Sequence, residues 1–331
     1  MDAIHQKNIK VLTKLIKSGT IKELPRFSDF GIAFFQSGGG NHLYIIRLDE
    51  KKFLARVNFY FLKNEWRVKE HEYQCLKMIE ELHIAPRAYY LDASGKLLDQ
   101  HFIIVDFIEG NSLREVADDH VINLAKTLKT LHEGVLFDKS GEEFPPNDEL
   151  PYKCSIFDDF ANGEDKQIEK YRELPDIDKV IDPYKRIVTK LGGWFHGLDF
   201  FNECRSFCLC HADLKKENIL ETPGGGIRLI DWEYSGSDIP ETDIGRLFAG
   251  CDFTKEQQEI FLSHYFVEPP GIKSHERILS VKLVLDFFRI LEDYIILKRK
   301  DWDAEAMLGE LFTFEDKLDK IVADRTILLE I

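Results

Sequence analysis

The chain has 331 residues, with 59 acidic and 44 basic side chains and a formal net charge of −15. That length suits one two-lobed enzyme or two to three domains, and 44% hydrophobic with 31% charged residues argues against disorder. The acidic balance disfavours a protein that neutralises nucleic-acid phosphates over a broad surface; it suits a cationic small partner, with simple solubility the plainer account.

Met1 to Lys7 hold no apolar stretch of signal-peptide length. The best apolar run, Leu283 to Leu297, is interrupted by Asp286, Arg289, Glu292 and Asp293, so no membrane span and a cytoplasmic protein are expected. Cys75, Cys154, Cys204, Cys208, Cys210 and Cys251 are then expected as free thiols. Cys204, Cys208, Cys210 and His211 form a C-x3-C-x-C-H cluster, but paired CxxC hooks are absent and the apolar neighbours favour buried structural cysteines over a metal site.

In chain order, residues 4–17 read as an amphipathic helix on Ile4, Ile9, Val11, Leu12 and Leu15. Strands are expected at 29–36, 42–48 and 53–59, with Ser37-Gly38-Gly39-Gly40-Asn41 between the first two. A helix over 63–82 follows, closed by Pro86, then a buried strand at 101–108. Ser112 and Glu115 suggest a capping box for the next helix, which Leu124, Leu128 and Leu131 continue. Residues 138–182 carry 14 acids and 6 bases and read as an exposed, partly helical insertion extending to about 190. Short strands are expected at 207–210 and 227–230, and Pro223-Gly224-Gly225-Gly226 reads as a turn. The remainder from Asp243 is mostly helical, with a second capping box at Thr254 and Gln257; no internal repeat or low-complexity tract is present.

The chemistry concentrates in His211-Ala212-Asp213-Leu214-Lys215-Lys216-Glu217-Asn218-Ile219-Leu220, followed by Leu229-Ile230-Asp231-Trp232-Glu233. An Asp and an Asn five residues apart on a loop, with another Asp after the next strand, match the needs of phosphoryl transfer from Mg-ATP. Asp213 is placed as the base for the acceptor hydroxyl, Asn218 and Asp231 as Mg2+ ligands, and His211 as a brace of the loop. No Walker-type G-x4-G-K-[ST] occurs, which argues against a P-loop kinase.

These two segments, HADLKKENIL and LIDWEYSGSDIPETDIGRLF, resemble the aminoglycoside phosphotransferase and choline kinase superfamily. The resemblance is most specific over 209–248. It implies an α+β, bilobal, protein-kinase-like fold: a nucleotide-binding lobe at 1–108, with an antiparallel sheet and one long helix, and a larger, mainly helical lobe at 109–331. It further implies that Asp243 supports the catalytic loop from behind. The nucleotide site would comprise Ser37, Gly38, Gly39, Gly40 and Asn41 over the phosphates and Arg56 on the third strand. Glu72 is its expected ion-pair partner, with Glu65 as the alternative, and Asp106 and Phe107 lie at the adenine hinge.

Lys215, two residues after Asp213, also occurs in protein kinases, where it contacts the transferring phosphate. Only 12 positions separate Asp231 from Asp243, too few for a peptide platform, and neither Asp-Phe-Gly nor Ala-Pro-Glu is present. A small-molecule hydroxyl acceptor is therefore expected, choline- or ethanolamine-like first, then aminoglycosides, then metabolites such as thiamine. A protein kinase and a silent nucleotide-binding pseudokinase are the alternatives. For a cationic acceptor, candidate contacts are Trp194, Phe195, Trp232, Tyr234, Phe287 and Tyr294, with Glu233, Asp238 and Asp286 as acids. Oligomeric state is not legible.

Overall fold

A computed structural model describes residues 3–38, 40–58, 67–137, 168–197, 207–291, 293–294 and 302–324. It divides into two compact units, Met1–Arg114 with Glu217–Ser235, and Glu115–Lys216 with Gly236–Ile331. The sequence boundary at 108/109 left 217–235 in the second part, whereas their strands pair within the first unit.

The first unit is built on an antiparallel five-stranded sheet ordered β1-β2-β3-β5-β4: β1 Phe30–Gly38, β2 Asn41–Leu48, β3 Lys51–Asn58, β4 Ala88–Asp92 and β5 Phe102–Asp106. β4, with no clean alternation in Ala88-Tyr89-Tyr90-Leu91-Asp92, was not expected from the sequence. Helix α1 (Ala3–Lys17) supplies Leu12, Leu15 and Ile16 to a core with Tyr44, Ile46, Phe53, Ala55 and Val57. Burying each large apolar side chain is worth about 1.5–3 kcal/mol. Buried Asn8 donates to the Tyr44 hydroxyl at 2.9 Å, so the polar groups under α1 are satisfied. Strand alternation sends Phe53, Ala55 and Val57 toward α1 and Arg56 to the opposite face, where helix α2 (Arg67–Met78) lies. A second sheet, β10-β9-β6, joins β6 Asn111–Ser112, β9 Ile219–Glu221 and β10 Ile227–Leu229.

The second unit is mainly helical: α3 Asp118–Gly134, α4 Asp178–Gly197, α5 Pro240–Gly250, α6 Lys255–Tyr265, α7 Ile272–Leu291 and α8 Ala304–Ala323. Its small sheet runs β11-β8-β7, from β7 Leu136–Phe137, β8 Phe207–Cys210 and β11 Gly236–Asp238. The Thr254/Gln257 capping box forms: the Gln257 amide donates to Thr254 Oγ1 at 3.2 Å, and the Thr254 amide to Gln257 Oε1 at 3.1 Å.

Two expectations are corrected. Ser112 does not cap a helix; it pairs with Leu220 and its hydroxyl donates to the Glu217 carbonyl, so α3 starts at Asp118 instead. Residues 138–167 of the acidic insertion lie outside the described residues. Its remainder is not all exposed, because Ile168, Ile177, Val180 and Ile181 are buried in the α4–α7–α8 core. Their apolar spacing outweighs the acidic average of the stretch.

Candidate active site

In the first unit, Arg56 is held between two carboxylates, its guanidinium donating to Glu72 and to Asp231. Glu72 is fully buried and also receives Lys69 Nζ at 2.5 Å; Lys69, 1% exposed, reaches Glu233 at 3.3 Å. Burial acts against the Arg56 cation, but Glu72, Asp231 and Glu233 outweigh it and raise its pKa. Burial likewise raises the pKa of Glu233, which Lys69 only partly offsets. Two cations thus face the three carboxylates Glu72, Asp231 and Glu233, and the cluster carries an excess of acidic groups. Of the two expected partners for Arg56, Glu72 is the one in place; Glu65 lies outside the described residues.

The β9–β10 hairpin explains how Asn218 and Asp231 meet. Leu229 pairs with Ile219, and the Ile230 amide donates to the Asn218 carbonyl at 3.0 Å, so the residues flanking the two strands lie side by side. The turn at 222–226 closes with the Thr222 amide on the Gly226 carbonyl at 2.9 Å. Asp231 adopts a left-handed backbone (φ 68°), which Asp tolerates better than most side chains. An amide oxygen and a carboxylate are hard-oxygen donors of the kind Mg2+ takes.

The glycine loop is the tight β1–β2 connection, in which Gly38 pairs with Asn41 and Gly40 takes φ 77°, a conformation that glycine adopts without a Cβ penalty. Ser37 Oγ lies 2.7 Å from His42 Nδ1; Gly39 is outside the described residues. Asp106 ends β5, where its carboxylate accepts from the Tyr89 hydroxyl at 2.8 Å and the Arg87 amide at 3.2 Å. The Phe107 amide donates to the Lys52 carbonyl at 3.3 Å.

In the second unit, β8 delivers the chain into His211-Ala212-Asp213. Ala212 has φ 63°, a left-handed conformation that costs a non-glycine residue about 1–2 kcal/mol. Asp243, at the head of α5 and fully buried, offsets that strain: its carboxylate accepts the His211 amide at 2.7 Å and the Ala212 amide at 2.9 Å. Burial opposes the Asp243 charge, but His132, His211 and the Ala212 amide together hold its pKa below the usual carboxylate value. The Asp213 amide donates toward His211 Nδ1 at 3.3 Å, and Lys215 Nζ stands 2.8 Å from Asp213 Oδ2. A carboxylate on a loop whose backbone is held in this way can take a proton from a hydroxyl.

The acceptor candidates scatter. Trp232 is fully buried, its indole donating to the Leu229 carbonyl at 2.9 Å, and Tyr234 is exposed. Trp194 and Phe287 belong to the α4–α7–α8 core, with the Trp194 indole 3.3 Å from Ser280 Oγ; Tyr294 packs against the same cluster. Asp286 pairs with Lys282 at 2.7 Å, one helical turn away. Asp238 is buried and accepts the Ile239 amide at 2.7 Å. The side chain of Phe195 lies outside the described residues. Sequence reading missed Lys69 and His132, because only tertiary contacts bury them; Lys69 lies one turn before Glu72, the spacing that would have signalled it.

The sequence profile of the choline/ethanolamine kinase family matches residues 32–310. No curated protein sequence matches significantly. Among solved structures, choline kinase LicA from Streptococcus pneumoniae is similar at 20% identity, covering 93% of this chain and 99% of that one, with TM-score 0.56. The Plasmodium vivax ethanolamine kinase is similar at 16% identity, with 96% and 94% covered and TM-score 0.60. An ADP-bound aminoglycoside phosphotransferase is similar at 18% identity, with 96% and 99% covered and TM-score 0.62. These likenesses establish the α+β kinase-like fold, and the match over residues 32–310 makes this chain a member of the choline/ethanolamine kinase family, a phosphotransferase acting on an alcohol group.

Proposed function

We propose that the protein transfers the γ-phosphate of Mg-ATP directly to the hydroxyl of a small cationic amino alcohol of the choline or ethanolamine class. The observation that carries this reading is the hairpin that sets Asn218 beside Asp231 while Arg56, fixed by Glu72, reaches the same carboxylate. Family membership and the ADP bound by one structural relative support ATP as the donor. Asn218 and Asp231 would hold Mg2+, which supplies charge neutralisation between the phosphates.

Arg56 would leave Asp231 to meet the α- and β-phosphates, with Glu72 keeping its orientation. Asp213 would accept the hydroxyl proton and aim the oxygen at phosphorus, and Lys215 would offset charge on the moving phosphoryl group. Serving as a positioning residue, Asp243 keeps the strained loop in register through the two amides it accepts. The acceptor preference rests on the family match; the acidic insertion at 138–182, net −8, adds attraction for a cation.

The test is an ADP-release assay with choline, ethanolamine, thiamine, aminoglycosides and a generic protein substrate. Release with an amino alcohol is expected; release with protein alone would favour a protein kinase, and release with none would favour a silent nucleotide binder. In the same assay Asp213→Ala should lower kcat by at least 100-fold while ATP still binds. Asp231→Ala should remove the Mg2+ dependence of nucleotide binding, and unchanged Mg-ATP affinity there would contradict the ligand role.

A further inference from the structure

Strand alternation places Cys208 and Cys210 on one face of β8, with their Sγ atoms 3.7 Å apart. His132, near the end of α3, meets that face: its imidazole nitrogen and the two sulfurs lie within 4.8 Å of one another. None of the three is more than 2% exposed. We propose that Cys208, Cys210 and His132 form a zinc site that pins β8, the strand entering the His211–Asp213 loop, to α3. The site lies wholly in the second unit and does not depend on the identity of the acceptor.

The donor chemistry is that of zinc. Two thiolates and an imidazole form a borderline-soft set suited to Zn2+ and unsuited to Mg2+, and two thiolate charges cancel the ion's own, leaving a neutral centre to bury. With Zn–S bonds of about 2.3 Å, a tetrahedral site has a sulfur–sulfur edge of about 3.8 Å. The observed 3.7 Å already matches that edge, while the imidazole nitrogen, within 4.8 Å of the sulfurs, has still to close on the ion. Binding moves no electrons: each thiol gives its proton to solvent as its sulfur takes the ion. The thiols now face the carbonyls of Asp238 and Ile239 at 3.6 and 3.5 Å, and the Ile239 carbonyl keeps the Thr242 amide and hydroxyl after they turn away.

The histidine is already oriented. Its Nε2 lies 3.2 Å from Asp243 Oδ2, and its Nδ1 lies 2.8 Å from the Tyr265 hydroxyl. Taking the ion on Nδ1 in place of the Tyr265 hydroxyl leaves Nε2–H free to go on donating to Asp243. This is a carboxylate–histidine–zinc arrangement, and it links the ion through Asp243 to the His211 and Ala212 amides. The sequence cluster had paired its cysteines with His211; the fold instead supplies His132 from another element.

The experiment is metal titration of the full chain after chelator treatment. Cd2+ should produce one ultraviolet thiolate-to-metal band per chain, and Zn2+ should displace it. At about a hundredfold excess of free Zn2+ over Kd, Tm should rise by roughly 5 °C. Cys208→Ser and Cys210→Ser should each abolish the band and the shift, whereas Cys75→Ser and Cys251→Ser should keep both. Should the serine variants not fold, X-ray absorption of zinc-loaded wild-type protein decides: two sulfurs at about 2.3 Å and a nitrogen at about 2.0 Å are expected. An all-oxygen shell, no band in folded wild-type protein, or a band that survives Cys208→Ser overturns the proposal.

Discussion

Asp238 shows how a single buried carboxylate can be read in two ways. It is 7% exposed, and burial raises its pKa from 3.8 to about 6 against the opposing Ile239 amide. Its folded pKa exceeds the unfolded one, so its contribution to stability is full below pH 4, falls as pH rises to about 6, and stays lost above. Asp238→Asn should stabilise the protein by about 3 kcal/mol at pH 7.5 and by almost nothing at pH 4, as read by urea denaturation at both. Unchanged KM values for donor and acceptor would accompany that gain if the group is structural, and a raised acceptor KM would mark it as a binding acid. Asp213, Asn218 and Asp231 stand out in the sequence because phosphoryl transfer restricts both residue type and spacing, and the fold makes Asn218 and Asp231 neighbours across one hairpin. Lys69 was not, since a lysine in an otherwise polar helix reads as solvated until its partners Glu72 and Glu233 are seen around it.

Helix α5 makes its sharpest demand at its last residue. A Cβ on Gly250 would stand 2.1 Å from the Leu214 carbonyl oxygen, so only glycine lets the helix end pass the backbone that follows Asp213. Gly250→Ala should cost about 1–3 kcal/mol through overpacking. It should also lower kcat at least tenfold at temperatures where the variant remains folded, measured by steady-state rates beside a thermal melt. The periodic helix α1 could be read from the sequence to within a residue, and α3 was legible in its Leu124, Leu128 and Leu131 spacing but not in its start at Asp118. The three-residue strand β9 could not, because its pairing with β10 and β6 rather than any alternation defines it. The Ser112 cap failed for the same reason: a capping pattern is local, and a strand partner more than a hundred residues away claimed the residue.

For the molecule as a whole, the charge of −15 is unevenly spread, with −8 in residues 138–182. If the acceptor is cationic, neutralising Glu142, Glu143, Asp148, Glu149, Asp158 and Asp159 should raise its KM several-fold at low salt and leave the KM for ATP nearly unchanged. The difference should fade near 0.15 M salt, where the screening length is about 8 Å, and initial rates at two salt concentrations check it. The first unit is assembled from two separate pieces of chain, Met1–Arg114 and Glu217–Ser235. On the ribosome, Arg56 and Lys69 emerge long before Asp231 and Glu233, leaving Glu72 alone to face both cations while β6 waits for β9. Synthesis of the whole 115–216 segment must intervene, so the first unit matures late, and a nascent chain arrested in that interval carries a partly unneutralised basic pair in place of a finished site.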